Sequence, residues 1–419
     1  MIKKFDKLFL YYLGTLFLFS IIFLTKKHIV GNDSTISEWL INYEGGFTKR
    51  GLIGQIIIMI TNLLNNSFRQ TILYSQITIL GVYFILIFNL LKNIKVNRLI
   101  ILSIFTPIFI LYPVAEIEVL ARKEVFIFCI FLIYLNLNSN FIQKLYKVIF
   151  LTIAVLIWEP VIFYFLFFVV VDIVKNNFKI IDKKFLINFI YYFPSIFVAF
   201  YIAFNPISEI EHQLMSDYLR NNFNENCYMS CALLKSKSSI YDQFKGNFEH
   251  YSFVVFFRYF LIILIGFFPL LLLLKNSYFA NPKLIYFKHF NNLLLPIILL
   301  LLPVIFLFAM GYDWGRWVNI SYVFTVCLYF HLYKSNIIIL SEKVKTSQIN
   351  IILYKKKFFI IFFIIFCFGW NPKTVMTGDV ATNPLWKIPY KASKVIFGFE
   401  NFRIFQDSPL SIWHKKYIE

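Results

Sequence analysis

Gly311 to Trp317 reads Gly-Tyr-Asp-Trp-Gly-Arg-Trp and lies between two long apolar runs, Leu293 to Met310 and Val318 to Tyr333. An acid, a base and several aromatic rings at the end of a hydrophobic span are costly to hold there unless they are paired or bound to something. Arg316, flanked by Trp314 and Trp317, suits a clamp: the guanidinium grips a phosphate at two points while the rings stack on sugars or settle at the lipid boundary. Asp313, three residues before Arg316, is either its local ion-pair partner or a group for acid or base work.

Three other stretches carry comparable chemistry. Tyr43 to Gly51 (Tyr-Glu-Gly-Gly-Phe-Thr-Lys-Arg-Gly) sets Glu44, Lys49 and Arg50 around a glycine pair that lets the backbone turn tightly or approach a ligand. Lys49 and Arg50 either hold a phosphate near a lipid surface or anchor a helix among headgroups. Glu116 to Glu124 brings Glu118 and Arg122 to a spacing of four, an exposed pair worth about 0.3 to 0.5 kcal/mol if helical, and runs through Lys123 and Glu124 into an apolar stretch. A salt-bridged cap or a phosphate-binding turn accounts for it. Glu159, in Trp158-Glu159-Pro160, is the single acid in a long apolar run, so it must be paired, neutral or facing water. It is either a general base for a sugar hydroxyl or the partner of Arg316 or Arg122. Arg258, about two turns into its span, is a second-tier candidate that can snorkel outward.

The sequence holds no His-rich metal pattern, no nucleotide-binding glycine loop and no serine nucleophile elbow, so neither metal nor cofactor is expected. Energy-coupled transport by this chain alone is disfavoured. Cys227 and Cys231 stand in a polar loop and either form a small disulfide or stay apart. The remaining cysteines fall in apolar runs as small hydrophobes.

These groups need elements to carry them. With 59% hydrophobic and 15% charged residues and a mean hydropathy of +0.70, the chain has too much apolar surface for a water-soluble core. The fold expected is all-α, a polytopic membrane bundle of about eleven transmembrane helices plus a re-entrant or interfacial helix. The spans run at Leu8 to Thr25, Thr71 to Leu91, Leu99 to Pro113, Val125 to Leu137, Val148 to Ile157, Val161 to Val174, Leu186 to Phe204, Ser252 to Leu274, Leu293 to Met310, Val318 to Tyr333 and Phe358 to Trp370. Gly51 to Leu64 is too short to cross and makes the re-entrant piece. Residues 1–370 form the bundle, with outer loops 26–70, 114–124, 205–251 and 311–317, and residues 371–419 form a tail outside.

The Lys-rich start places the N-terminus in the cytoplasm. In this topology only Asp6, Asp182 and Glu342 among the acids fall in cytoplasmic segments, with Asp172 at a span's inner end. The formal charge of +19 is therefore an orientation signal and no argument for nucleic acid. All four motif stretches then face outward, which makes a common extracytoplasmic site geometrically possible.

In size, span number and outward-facing Arg and acid groups, the chain resembles the bacterial polytopic polymerases of O-antigen and capsule repeat units. That resemblance implies a polyprenyl-linked glycan bound outside the inner membrane, with polysaccharide-assembly partners. It implies phosphate-binding roles for Arg50, Arg122 and Arg316 and a base role for Glu159 or Asp313. The chain is also similar to membrane glycosyltransferases that use lipid-monophosphate sugars and place an acid in the first outer loop, where Asp33, Glu38 or Glu44 would fit. It lacks the large soluble C-terminal domain that many of those carry. A transporter of lipid-linked sugars is the non-enzymatic alternative, with neither an internal repeat nor a charged interior path to favour it.

Overall fold

The computed structural model describes residues 2–30, 34–176, 183–235, 240–280, 290–341, 356–378, 383–397, 413 and 416–417. Asp33, parts of the Lys-rich linkers and most of the chain beyond 397 lie outside the described residues. The described chain is helical apart from one antiparallel ribbon, in which Ser277, Tyr278 and Phe279 face Leu340, Ile339 and Ile338. Both strands lie in stretches expected as cytoplasmic linkers.

Among the described residues, four helices are long and apolar enough to cross a membrane: Lys3–Ile29, Phe68–Leu91, Asn140–Ile157 and Phe253–Lys275. A fifth candidate is the pair Phe193–Phe204 and Glu209–Phe223, bent by 101° where Pro206 and the Ser208 capping box end one helix and start the next. Three other expected spans are helices of 10–17 residues, Glu124–Asn136, Leu294–Met310 and Lys357–Phe368, and Val318 to Tyr333 lies within the 21-residue helix Trp314–Lys334. Leu99 to Pro113 is broken: it is helical over Arg98–Phe105 and again in the short helix Tyr112–Ala115. The expected start at Val148 moves back to Asn140, because the stretch read as a linker is helical.

The chain divides into two compact units, the first built from Met1–Phe19, Phe88–Ile117 and Gln243–Glu419, the second from Ser20–Ile87 and Glu118–Asp242. In the first unit the helix Trp314–Lys334 is buried continuously from Trp314 to Phe330, so it is the core element. Its polar side chains satisfy backbone that the Arg98–Phe105 helix leaves open. Asn319 Nδ2 donates to Ile108 O (2.8 Å) and Phe109 O (3.0 Å), and Tyr322 donates to Ser103 O at 2.7 Å. Irregular backbone is tolerated among apolar helices where such partners exist. The helix Lys356–Phe368 packs Phe366 and Cys367 on Leu102.

In the second unit the helix Gly51–Leu64 has the expected bounds. It buries Ile53, Gly54, Ile57, Ile58 and Thr61 along one face and exposes Ile56, Met59, Leu63 and Leu64 on the other. A Cβ on Gly54 would lie 2.0 Å from Ile41 O, so only glycine lets this helix sit against the strand of chain before it. A π-turn at Lys147–Leu151 interrupts Asn140–Ile157. There Lys147 Nζ meets Asp172 Oδ2 (2.7 Å) and Asn188 Oδ1 (2.6 Å), and Asp172 also accepts from Tyr134 and Tyr192. This buried network is saturated, which makes it a structural tie.

Candidate functional site

The expected site residues divide between the two units, and each group is built differently. In the second unit Arg50 is the hub. It sits in the left-handed region (φ 64°) just before the Gly51–Leu64 helix. Its Nε donates to Glu159 Oε2 (2.8 Å) and its Nη2 to Oε1 (2.9 Å), a two-point grip. Its Nη1 lies 3.5 Å from Oε1 of Glu38, which is fully buried and also accepts from Arg122 Nη2. Lys123, likewise fully buried, donates through Nζ to the carbonyl of Arg50. The result is a ladder of alternating charge, Arg122, Glu38, Arg50, Glu159, with Lys49 and Lys123 beside it.

Glu159 therefore pairs with Arg50, which the sequence had not singled out as its partner, and within this unit Arg122 pairs with Glu38 instead. Nor do Glu118 and Arg122 share a helical face. Ile117–Val119 is a short 3-10 turn, Ala121 takes φ 53°, and Arg122 turns to Glu38. Trp39 Nε1 (3.1 Å) and Gln76 Nε2 (3.4 Å) both donate to Ala121 O and hold that turn. Seven non-glycine residues among those described have positive φ, and all but Arg50, Ala121 and Met229 are asparagine, which tolerates it. Two of those three border this ladder, and strained backbone concentrates where function demands it.

Burial raises the Glu159 carboxyl, but the ion pair with Arg50 and the field of Lys49 outweigh it and hold the group below the usual carboxylate range. Burial pulls the Lys123 ammonium down to about 7 against the opposing pull of Glu38. It lowers Lys49 as well, with Glu159 opposing. Glu44 is exposed and takes a hydrogen bond from Gln55 Nε2 (2.6 Å), which makes it part of the loop's own bracing. Glu124 is buried in the first turn of its helix, a favourable end for a carboxylate.

In the first unit Asp313 and Arg316 make the local pair (3.2 Å), with Arg316 only 1% exposed and its guanidinium 5.2 Å from the Trp317 ring. Arg316 and Trp317 stand in the first turn of the core helix, inside the stretch expected as loop. Trp314 donates to Phe308 O at 2.7 Å and its ring packs against Tyr251, Phe256 and Tyr259. Both tryptophans are buried among protein groups here.

No known protein family, curated protein or solved structure matches the chain. The functional reading accordingly rests on the geometry.

Sequence reasoning missed the chain segment that covers this pair. Gly315 N donates to Thr374 O (3.0 Å), Met376 N to Tyr312 O (2.9 Å), and Arg258 Nη1 to Gly378 O (2.6 Å). A Cβ on Gly315 would lie 1.9 Å from Lys373 O. Farther along, Lys387 Nζ sits 2.9 Å from Glu116 Oε1, with Lys373 Nζ 3.7 Å from Oε2. Asn371-Pro372 and Asn383-Pro384 are turn dipeptides and were the available signal that this stretch is ordered. Cys227 and Cys231 are joined in a disulfide, with His212 Nε2 at 3.4 Å from Cys227 Sγ.

Chemically, the ladder of the second unit sets four basic side chains against Glu38 and Glu159. An excess of positive charge on a partly open surface favours a phosphate. The Asp313–Arg316 pair is self-neutralising.

Proposed function

We propose that this chain is an integral membrane glycan-assembly enzyme that transfers or polymerises polyprenyl-(di)phosphate-linked sugar units. The observation that carries the reading is the cation-rich ladder around Arg50, held by two strained turns. Arg50 and Lys49 grip the phosphate of the lipid-linked sugar and stabilise it as it leaves the anomeric carbon. As Arg50 turns to the phosphate, Glu159 loses the partner that lowers its pKa. Burial then makes it a stronger base, able to take the proton of the attacking hydroxyl as the new C–O bond forms. Arg122 and Lys123 keep Glu38 and the Arg50 carbonyl in place.

This reading includes the finer topology, eleven spans with the N-terminus in the cytoplasm of a bacterial inner membrane and the site outside. The concentration of acids in the assigned outer loops supports it. The test is transfer of radiolabelled sugar from a polyprenyl donor pool by membranes carrying Arg50→Lys or Glu159→Gln. Both should insert normally and lose at least about a hundredfold in product. Full product from both variants would remove the assignment. A product short of one sugar, in place of a single unpolymerised unit, would favour the lipid-monophosphate transferase.

A further inference from the structure

The second unit holds a cleft of about 420 Å³ that none of the residues discussed above lines. Its wall is built where the helix Glu209–Phe223 ends. Asn224 takes φ 53°, and Glu225 folds back to donate its N–H to Leu219 O at 3.2 Å. The turn delivers the Glu225 carboxylate, more than nine-tenths buried, to Arg69, which donates to Oε1 through Nε and to Oε2 through Nη2 (2.9 Å). Phe68 and Phe223 stack with ring centroids 4.6 Å apart, the first buried and the second partly exposed.

His28, also more than nine-tenths buried, completes the lining. Its tautomer follows from its neighbours. Gln76 donates its amide N–H groups to Thr35 O (2.8 Å) and Ala121 O, so its Oε1 is what meets His28 Nε2 at 2.8 Å. Nε2 must therefore carry the proton, and Nδ1 is an acceptor with no hydrogen-bond partner. That nitrogen is enclosed by protein, so it is a cost of the fold of about 1–3 kcal/mol, while the groups open to the cleft lie on residues 67–69 and 223–225.

We propose that this cleft binds a neutral saccharide. Arg69 and Glu225 neutralise each other and the lining holds no second Lys or Arg, so, unlike at the Arg50 ladder with its added lysines, a phosphate or zwitterion finds no unmatched charge here. A lipid chain would leave the polar wall unpaired. Hydroxyls answer the need, because each both donates and accepts. They would meet the remaining lone pairs of Glu225, the Asn224 amide and the Ser67 hydroxyl, while a sugar's C–H face lies on Phe223. The volume is within the range of small-ligand pockets.

The inference does not rest on the glycan-assembly reading, since an inactive chain could keep the cleft. The test is saturation-transfer NMR on the detergent-solubilised full chain with methyl β-glucoside, N-acetylglucosamine and lactose, and with inorganic phosphate and glycine as controls. At least one sugar should saturate at one site and neither control should. Asn224→Gly keeps the left-handed turn and removes the amide, and Ser67→Ala removes the hydroxyl. Together they should weaken binding about tenfold or more, whereas Arg50→Lys should leave it unchanged. If no sugar saturates, if the double variant binds as well as the parent, or if phosphate binds in the sugar's place, the proposal is overturned. Full transfer by Arg50→Lys with sugar binding intact would fault only the role of Arg50.

Discussion

Arg50 and Arg316 were expected to do the same work, and the structure gives them opposite surroundings. Arg316 finds its acid three residues away, and both lie at the start of a helix buried on all sides. Arg50 finds its acid 109 residues away in the chain and keeps its side chain 19% exposed. A pair made by neighbours in sequence can form as soon as its helix does and needs nothing further. A pair made across the unit forms only when the whole unit is in place, and it is accompanied by strained turns and an excess of cations. Of the two, only the second depends on the tertiary structure of its unit for its partner.

Four changes sharpen or break that contrast. Removing Glu38 should have the largest effect. Glu38→Ala leaves Arg122 and the inner face of Arg50 buried without their acid and should cost about 3–5 kcal/mol, seen as a collapse of thermal stability in detergent. A stable Glu38→Ala protein would mean the ladder is solvated and not a built site. Next, Gly315→Ala pushes against the Lys373 carbonyl and should displace the Asn371–Gly378 segment, at about 1–3 kcal/mol. Proteolysis within that segment should rise, while sugar transfer dependent on Arg50 should fall less than in Arg50→Lys.

A pH test separates Lys123 from its neighbours. Its folded pKa of about 7 lies well below the usual lysine value, so above pH 7 the unfolded chain binds the extra proton. The penalty for burying this group is complete below about pH 7 and fades as pH rises toward 10. Thermal midpoints should accordingly gain between pH 7 and 9.5, and Lys123→Met should flatten that part of the profile. An unchanged slope in the variant would show that Lys123 stays charged in the folded unit. The smallest effect belongs to Asp313→Asn. Asp313's side chain is 27% exposed and asparagine keeps an acceptor oxygen for the buried Arg316, so a loss of about 1 kcal/mol is expected.

The class of fold was legible because composition and long apolar runs are one-dimensional properties. Phe68–Leu91 and Phe253–Lys275 could be drawn from hydropathy almost to the residue. The core helix was legible only in part. Its first turn carries Trp, Gly, Arg and Trp, which reads as loop until the Asn371–Gly378 segment is known to cross it as a strap. The residue types of the second unit's ladder were picked out, apart from Glu38, which was noted only as a loop acid. Their pairing was not, because nothing in local spacing says that Arg50 reaches Glu159 or that Arg122 turns inward to Glu38. Those choices depend on the left-handed turns at Arg50 and Ala121, and neither residue type advertises such a turn.

The strap has a practical consequence for anyone mapping which side of the membrane each loop faces. Reporter enzymes are commonly fused after successive truncation points, and a junction near Trp370 would look like a safe place between the last apolar helix and a polar tail. Such a fusion would delete the carbonyls that Gly315, Tyr259 and Arg258 hold, and the reporter would then describe a first unit with its central helix uncovered. Junctions placed after Phe397, or reporters inserted into the intact chain, avoid that artefact.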